Sequence, residues 1–219
     1  MRRRHPSSVC EELELLERAF HIDAAFFIDY TFTSSEQWVS DFCDEYRRRS
    51  LRIRWTCETR SDMVDSRMLA TMASSGCQGI WFGVESFSSP VVQCAGKYAD
   101  AALSIAAIEA AARVGIAPHA FIMIGLPGEC SHTIADTFNT IGRLRVPYTK
   151  SVIVATPRFG TPYFALAERE YPEFDLAEDF FRLSAVRGIV ANEMTIPIIQ
   201  GLVDDMRQRH NFFPRVSRR

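Results

Sequence analysis

Apolar residues recur along this chain at two alternating periods. Val9, Leu13, Leu16 and Phe20 follow one another at intervals of 4, 3 and 4, one face of a helix, and Ser8-Val9-Cys10-Glu11 before them has the form of a capping box. Ala24 to Ile28 is then a short apolar run of strand length. Ser34-Ser35-Glu36-Gln37 opens a second helix whose Trp38, Phe42 and Tyr46 recur every four residues, and Leu51 to Thr56 reads as the next strand. Asp65 caps a helix through Met68, Leu69 and Met72 that stops at Gly76, and Gly79 to Val84 is a fully buried strand.

The rhythm continues with an alanine-rich helix from Asp100 to Gly115, a strand from Pro118 to Leu126, and a helix capped by Ser131 that carries Ile134, Phe138, Ile141 and Leu144. Ser151 to Ala155 supplies a fifth strand. Pro157, Gly160 and Pro162 mark a loop, after which two helical segments are predicted near 175–187 and 197–210. Strand starts near 24, 51, 79, 118 and 151 are 27, 28, 39 and 33 residues apart, room for one crossover helix each. Strict βα alternation with near-continuous apolar strands predicts a parallel sheet covered by helices, as an open doubly wound sheet or a barrel. A nucleotide-binding doubly wound sheet carries a glycine-rich turn after its first strand. Asp29-Tyr30-Thr31-Phe32 has no glycine, which favours the barrel.

Composition narrows the function classes. With 219 residues, 47% of them hydrophobic and 24% charged, the chain is ordinary globular material, and a net charge of -2 gives no electrostatic case for nucleic acid or a membrane surface. The basic runs Arg2-Arg3-Arg4 and Arg215 to Arg219 read as solvated ends. No stretch reaches the ~18 apolar residues of a spanning helix, and the first arginines lead into Glu11-Glu12 instead of a signal-peptide core, so a cytoplasmic protein is expected. Six cysteines at 10, 43, 57, 77, 94 and 130 show no metal-ligand spacing and read as buried thiols, so no metal ligand is assigned.

The chemistry sits at the strand ends, where parallel barrels build their active sites. Arg60 offers a two-pronged guanidinium and Glu85 a carboxylate able to hold an ammonium or ribose hydroxyls, a pair suited to an amino-acid-like ligand or to a salt bridge closing the barrel end. Glu85 stands out because it follows four apolar or glycine positions, where a carboxylate is costly without a partner. Gly125-Leu126-Pro127-Gly128-Glu129 places two glycines around a proline, either a plain turn or a close backbone approach to a flat ligand. Asp29 is ambiguous between helix entry and substrate contact, and His119 within an apolar strand reads as a core histidine. No nucleophile with an adjacent base is visible.

Taken together, Trp55-x-x-Glu58-x-Arg60, Gly83-Val84-Glu85-Ser86, Met123-Ile124-Gly125-Leu126-Pro127-Gly128-Glu129 and Pro157-x-x-Gly160-Thr161-Pro162 resemble, in order and spacing, the later strands of the radical S-adenosylmethionine superfamily. The resemblance runs from about Arg4-His5-Pro6 to Phe164 and is closest to members with a separate cobalamin-binding domain. It implies an α/β fold, a partial parallel (β/α) TIM-type barrel lacking its first strand, over residues 1–165, with a helical extension over 166–219. In that family a [4Fe-4S] cluster on a C-x₃-C-x₂-C loop binds S-adenosylmethionine, and one-electron cleavage of the sulfonium gives a 5′-deoxyadenosyl radical. By resemblance Glu85 would contact the methionyl amino group or ribose and Arg60 the methionyl carboxylate. The Gly125 to Glu129 backbone, Gly125 and Gly128 included, would lie near adenine, with Glu58 and Ser86 in the same cofactor site.

One departure stands out: no C-x₃-C-x₂-C occurs anywhere in the sequence. The expectation is therefore a fragment of such an enzyme, inactive alone, with an unpaired sheet edge at Ala24 to Ile28, a missing N-terminal region or partner subunit, and cobalamin only through a missing domain. A cluster-free S-adenosylmethionine-binding or partner protein is the alternative, and an unrelated barrel lyase or hydrolase a third. The substrate is expected to be a small molecule of unspecified identity.

Overall fold

The computed structural model describes residues 3–96, 100–144, 149–155 and 157–170. Five strands and seven α-helices follow one another along them, alternating except where α4 and α5 succeed each other: α1 (Pro6–Phe20), β1 (Ala24–Phe27), α2 (Glu36–Arg48), β2 (Arg54–Thr59), α3 (Ser66–Ala73), β3 (Cys77–Glu85), α4 (Ser89–Cys94), α5 (Ala101–Arg113), β4 (Ala117–Ile124), α6 (Ser131–Arg143), β5 (Thr149–Val154) and α7 (Pro162–Glu170). The strands form one parallel sheet in the order β1-β2-β3-β4-β5, the winding of a partial α/β barrel, as the sequence predicts. β1 stands at one end of that order, with Ile28 just beyond it 74% exposed. By Cα proximity the described residues divide into two compact units, one drawing on residues up to Gly83 and on Ala102–Ala120, the other on Val84–Ala101, Phe121–Leu144 and residues from Lys150 onward.

In the first unit the elements form for the reasons their sequence suggests. Asp65 caps α3 by accepting the Met68 N–H at 2.7 Å, and Gly76, at φ +87, ends the turn that follows. Two boundaries shift. Helix α1 begins at Pro6, not Ser8, because His5 is the N-cap, its Nδ1 accepting the Ser7 N–H, and Pro6 at the first turn has no N–H to satisfy. The face it buries is Pro6, Cys10 and Leu13, while Phe20 is exposed. Strand β2 starts at Arg54 instead of Leu51, since Leu51 N–H still closes onto the Tyr46 carbonyl after α2. A register shift between Trp55 and Thr56 brings Gly79 opposite Thr56, so close that a Cβ on Gly79 would stand 2.9 Å from the threonine methyl.

The core of this unit is aromatic. Trp38 stacks on Phe42 at 5.4 Å between centroids, and Phe42 meets Trp55 edge-on at the same separation. Buried Trp55 donates its indole N–H to the Ser75 carbonyl at 2.6 Å, and Tyr46 donates its hydroxyl to the Ile53 carbonyl. These bonds match buried polar atoms with partners, which keeps the apolar packing from leaving an unsatisfied group inside.

The second unit carries three features the periodicity did not predict. A six-residue helix, α4, follows the end of β3, with Pro90 in its first turn. Helix α6 is capped by Cys130 rather than Ser131, the Cys130 N–H donating to Thr133 Oγ1 at 2.9 Å. Pro162, expected in a loop, begins α7 because Thr161 Oγ1 accepts the Phe164 N–H, and a proline suits the first helical position. Helix α7 spans the boundary expected at residue 165, and the helices expected at 175–187 and 197–210 lie outside the described residues. No described helix is long and apolar enough to cross a membrane.

Candidate functional site

The strongest local signal is at the C-terminal end of β3. Glu85 has φ +67, one of three non-glycine residues with positive φ among the described residues, and the Ser86 N–H donates to the Val84 carbonyl at 2.8 Å. An i to i+2 bond around a residue at positive φ is the rarer, strained form of the γ-turn. Left-handed backbone at a side-chain-bearing residue costs roughly 1–2 kcal/mol, and such strain persists where surrounding contacts enforce it.

Those contacts are visible. Buried Ser86 and Thr137 share a hydroxyl–hydroxyl bond of 2.9 Å, Thr137 Oγ1 accepts the Phe87 N–H at 3.2 Å, and Ser86 Oγ accepts the Ser88 N–H at 3.1 Å. Ser86 thus spends its hydroxyl on internal bonds that fix the chain leaving Glu85. Glu85, 6% exposed, is among the residues lining a cavity of about 770 Å³ in the second unit. Met123, Leu126, Pro127 and Tyr163 give the cavity an apolar wall, with Arg158 and Arg169 also on its lining. Its size lies in the roughly 300–1,000 Å³ range of small-molecule sites.

The wall is held by the Gly-Leu-Pro-Gly-Glu turn. Gly125 and Gly128 have φ of +92 and +78, conformations that side-chain-bearing residues rarely adopt. A Cβ on Gly128 would also sit 3.3 Å from Cys94 Sγ. The Gly125 N–H donates to Glu129 Oε2, Tyr163 donates its hydroxyl to the Gly125 carbonyl at 2.9 Å, and the Ala155 N–H donates to the Ile124 carbonyl at 2.7 Å. Burial pushes the Glu129 carboxyl up to about 7, against the opposing pull of backbone bonds from Gly125 and Leu126.

The remaining expected residues belong to the first unit. Arg60 binds Asp62 with both prongs of its guanidinium, Nε to Oδ1 at 2.8 Å and Nη2 to Oδ2 at 2.5 Å, so its fork already holds a carboxylate two residues along. Glu58 is half-buried, and desolvation raises its carboxyl above the usual range. Asp29 is exposed and borders a separate cavity of about 330 Å³ with Arg3, Phe32, Ser34 and Trp38. His119 is a core residue as expected. It stacks on Trp81 at 3.8 Å, and burial lowers its imidazole to about 4. Of the expected cofactor residues, then, Glu85, Ser86, Gly125 and Gly128 lie in one unit, where Glu85 and the turn carrying the glycines contribute to a single cavity. Glu129 is expected only as the end of that turn, and Thr137 and Tyr163 are not expected at all, although a threonine on the apolar face of α6 and a glutamate closing a glycine turn are both polar residues at buried positions.

The cysteines do not suit an iron–sulfur cluster, although Cys94 is exposed and Cys130 half-buried instead of buried as expected. Cys10, Cys43, Cys57 and Cys77 are buried, burial pushes Cys10 up to about 12 and Cys43 up to about 11, and a cluster ligand must be a thiolate. Among the described residues no three His, Cys, Asp or Glu side chains converge to hold a metal ion.

The chain shares its fold, a partial α/β barrel, with solved radical S-adenosylmethionine enzymes, in line with the resemblance read from the sequence. The chain superposes on the radical S-adenosylmethionine methyltransferase TsrM of Kitasatospora setae with a TM-score of 0.68 at 19% identity, covering 76% of this chain and 34% of that one. Coproporphyrinogen III oxidase of Escherichia coli, described as a radical SAM enzyme, gives 0.63 at 14% identity over 95% of this chain and 46% of its own. Cobalamin-dependent OxsB, solved with aqua-cobalamin and S-adenosylmethionine, gives 0.59 at 15% identity, covering 95% of this chain and 32% of that one. In sequence, an uncharacterized methyltransferase of Pyrococcus horikoshii is 29% identical over 153 residues, 70% of this chain and 33% of that protein. The anaerobic magnesium-protoporphyrin IX monomethyl ester cyclase of Rubrivivax gelatinosus is 27% identical over 139 residues, 62% of this chain and 25% of that protein. The chain thus spans a third or less of the curated relatives it matches. No family model matches it.

Proposed function

We propose that this chain supplies the S-adenosylmethionine-holding part of a radical S-adenosylmethionine enzyme, with methyl transfer the reaction class of the longer enzyme. The observation that carries the reading is the strained γ-turn that commits Glu85 to the border of an apolar-walled cavity. A carboxylate there meets the ligand's amino group or ribose hydroxyls, and Met123, Leu126 and Pro127 offer the flat apolar contact an adenine requires. Cobalamin, in this reading, belongs to a domain outside this sequence.

The cluster is a different matter. Because these cysteines do not fit it, the chain alone is proposed to bind the ligand without cleaving it. Calorimetry with S-adenosylmethionine tests the binding: the wild-type chain binds, and Glu85→Gln weakens binding at least about tenfold, a loss of about 1.4 kcal/mol. Absence of heat with the wild-type chain overturns the proposal. Anaerobic treatment with iron and sulfide gives no stoichiometric cluster absorption, and a loaded cluster would refute the second part.

A further inference from the structure

Three aromatic rings cross the first unit on the sheet face turned away from the α2 core. Side chains alternate along a strand, so in β2 Trp55, Cys57 and Thr59 go to one side and Thr56 and Glu58 to the other, and the parallel register places Phe26 beside Thr56 and Trp81 beside Glu58. The first side is the packed one, with Trp55, Cys57, Ile80 and Phe82 fully buried and Trp55 against Phe42 of α2. On the second, Phe26 of β1 meets Trp81 of β3 at 5.4 Å between centroids, tilted by 45°, and Trp81 stacks on His119 of β4 at 3.8 Å and 19°. The row of rings is open at its β1 end, where Phe26 is 44% exposed, and Trp81 is half-buried. Gly79 and Gly83, two positions to either side of Trp81, bring no side chain to that face, a pattern that lets another molecule approach a strand closely.

A parallel sheet ordinarily has both faces covered, and half-exposed rings forgo the gain of burial until something lies on them. Glu58 identifies the occupant. Its side chain is on the same face, in register with Trp81, and among the described residues no side chain ion-pairs with its carboxylate or donates to it. Desolvation alone raises that carboxyl, a cost that a neighbouring positive charge would offset. The arginines on either side of it along β2 are engaged elsewhere, Arg54 on Asp23 at 2.6 Å and Arg60 on Asp62 with both prongs. His119, lowered to about 4 by burial, is neutral at neutral pH and adds no positive charge. The face therefore combines π surface with one carboxylate. We propose that it is a binding site for a small planar molecule carrying a basic nitrogen: the ring lies against Phe26 and Trp81, and the protonated nitrogen takes the Glu58 carboxylate. An ammonium in that position makes a charge-assisted hydrogen bond and, within reach of the indole, a cation–π contact. The same carboxylate repels an anionic analogue, which makes the site selective as well as adhesive. As a binding site it does not depend on the proposed function; only its standing as the substrate site of the longer enzyme rests on that reading.

The test uses the full chain labelled with fluorotryptophan, whose three fluorine NMR signals report Trp38, Trp55 and Trp81, with Trp81→Phe assigning the third. Titrated with naphthylmethylamine, the Trp81 signal shifts to saturation with a Kd below about 1 mM, while those of Trp38 and Trp55, on the helix-covered side, stay fixed. Naphthylacetate has the same ring and the opposite charge, cyclohexylmethylamine the same charge and no π face, and each binds at least about tenfold more weakly. Glu58→Gln weakens amine binding at least about tenfold, and Phe26→Leu, at a part-exposed position, at least about threefold. No shift at Trp81 with the amine, or equal affinity for the amine and the acetate, overturns the proposal. If Glu58→Gln also displaces the Trp38 and Trp55 signals, and so the fold, the amine–acetate comparison in the wild-type chain and the Phe26→Leu variant decide by themselves. A Trp81 signal that follows protein concentration instead, in step with dimer formation in sedimentation, overturns it in favour of a second copy of this chain on the face. S-adenosylmethionine enters none of these titrations, so their failure leaves the proposed function standing, and its failure to bind leaves this site standing.

Discussion

Ser86 and Thr137 share a hydroxyl–hydroxyl hydrogen bond of 2.9 Å inside the second unit, and through it α6 holds the backbone that leaves Glu85. Neither hydroxyl is spare, since each also accepts a backbone N–H from the same segment. Thr137→Val keeps the shape and removes the acceptor for Phe87, leaving a buried donor unpaired at about 1–3 kcal/mol. Chemical denaturation reads that loss. Ligand affinity falls as well if the turn relaxes, whereas unchanged stability would separate α6 from the site.

Glu85 stands in backbone that glycine adopts freely. Glu85→Gly is therefore expected to gain up to about 1 kcal/mol of stability by relieving the left-handed strain, while ligand binding is lost. A higher melting temperature together with absent calorimetric heat is the signature of a residue kept for function. A variant that is both less stable and still competent in binding would mean that Glu85 is a structural residue.

Much of the fold was legible because two periods alternate cleanly. Met68, Leu69 and Met72 face the core and Asp65 caps them as their spacing predicts, and the βα alternation gives the sheet its order. What escaped was local and polar. The starts of α1 and α6 depend on His5 and Cys130, residues with weak intrinsic capping preference, and α7 begins at a proline that reads equally well as a loop. The site was legible only in part for a related reason. Glu85 is conspicuous as a charge ending an apolar strand, but its positive φ cannot be read from composition, and Arg60's commitment to Asp62 depends on the turn geometry around Ser61.

Gly76 supports a packing prediction in the first unit. At φ +87, a Cβ there would stand 2.9 Å from the Tyr46 hydroxyl oxygen and 3.3 Å from the Ile53 carbonyl oxygen, the two atoms that hydrogen-bond each other. Gly76→Ala adds left-handed strain to a displaced buried bond, for a loss of about 2–3 kcal/mol in denaturation. Gly115, at φ +83 with open space around it, carries the strain alone, so Gly115→Ala costs about half as much. Equal losses in the two would show that the Tyr46 contact yields freely.

His119 ties stability to acid. Buried and stacked on Trp81, its imidazole is lowered from 6.5 to about 4, so between those values the unfolded chain binds a proton that the folded one refuses. Its contribution is complete above pH 6.5 and is lost as pH falls through 4, on the order of 3 kcal/mol. His119→Phe, which keeps a ring against Trp81, should flatten the acid limb of the melting profile. An unaltered limb would place the acid sensitivity elsewhere.

Glu129 works in the opposite direction over an overlapping window. Its folded value, about 7, lies above the 4.5 of an ordinary glutamate, so the folded state holds the proton more tightly than the unfolded one between those values. The stability it contributes is complete below pH 4.5 and is lost as pH rises through 7, again on the order of 3 kcal/mol. Between pH 4.5 and 6.5 the two residues oppose each other, and the wild-type profile is flatter there than either alone would make it. Glu129→Gln removes the alkaline loss, so its melting temperature changes less than that of the wild type between pH 5 and 8, while His119→Phe shows the steeper fall toward pH 8. Parallel profiles for wild type and Glu129→Gln would mean that the buried carboxyl ionises in the folded chain as readily as in the unfolded one. In that case the ionised carboxylate imposes no burial penalty on the fold. The outcome expected instead is that holding the Gly125 amide on an ionised group is maintained at neutral pH against a measurable loss of stability.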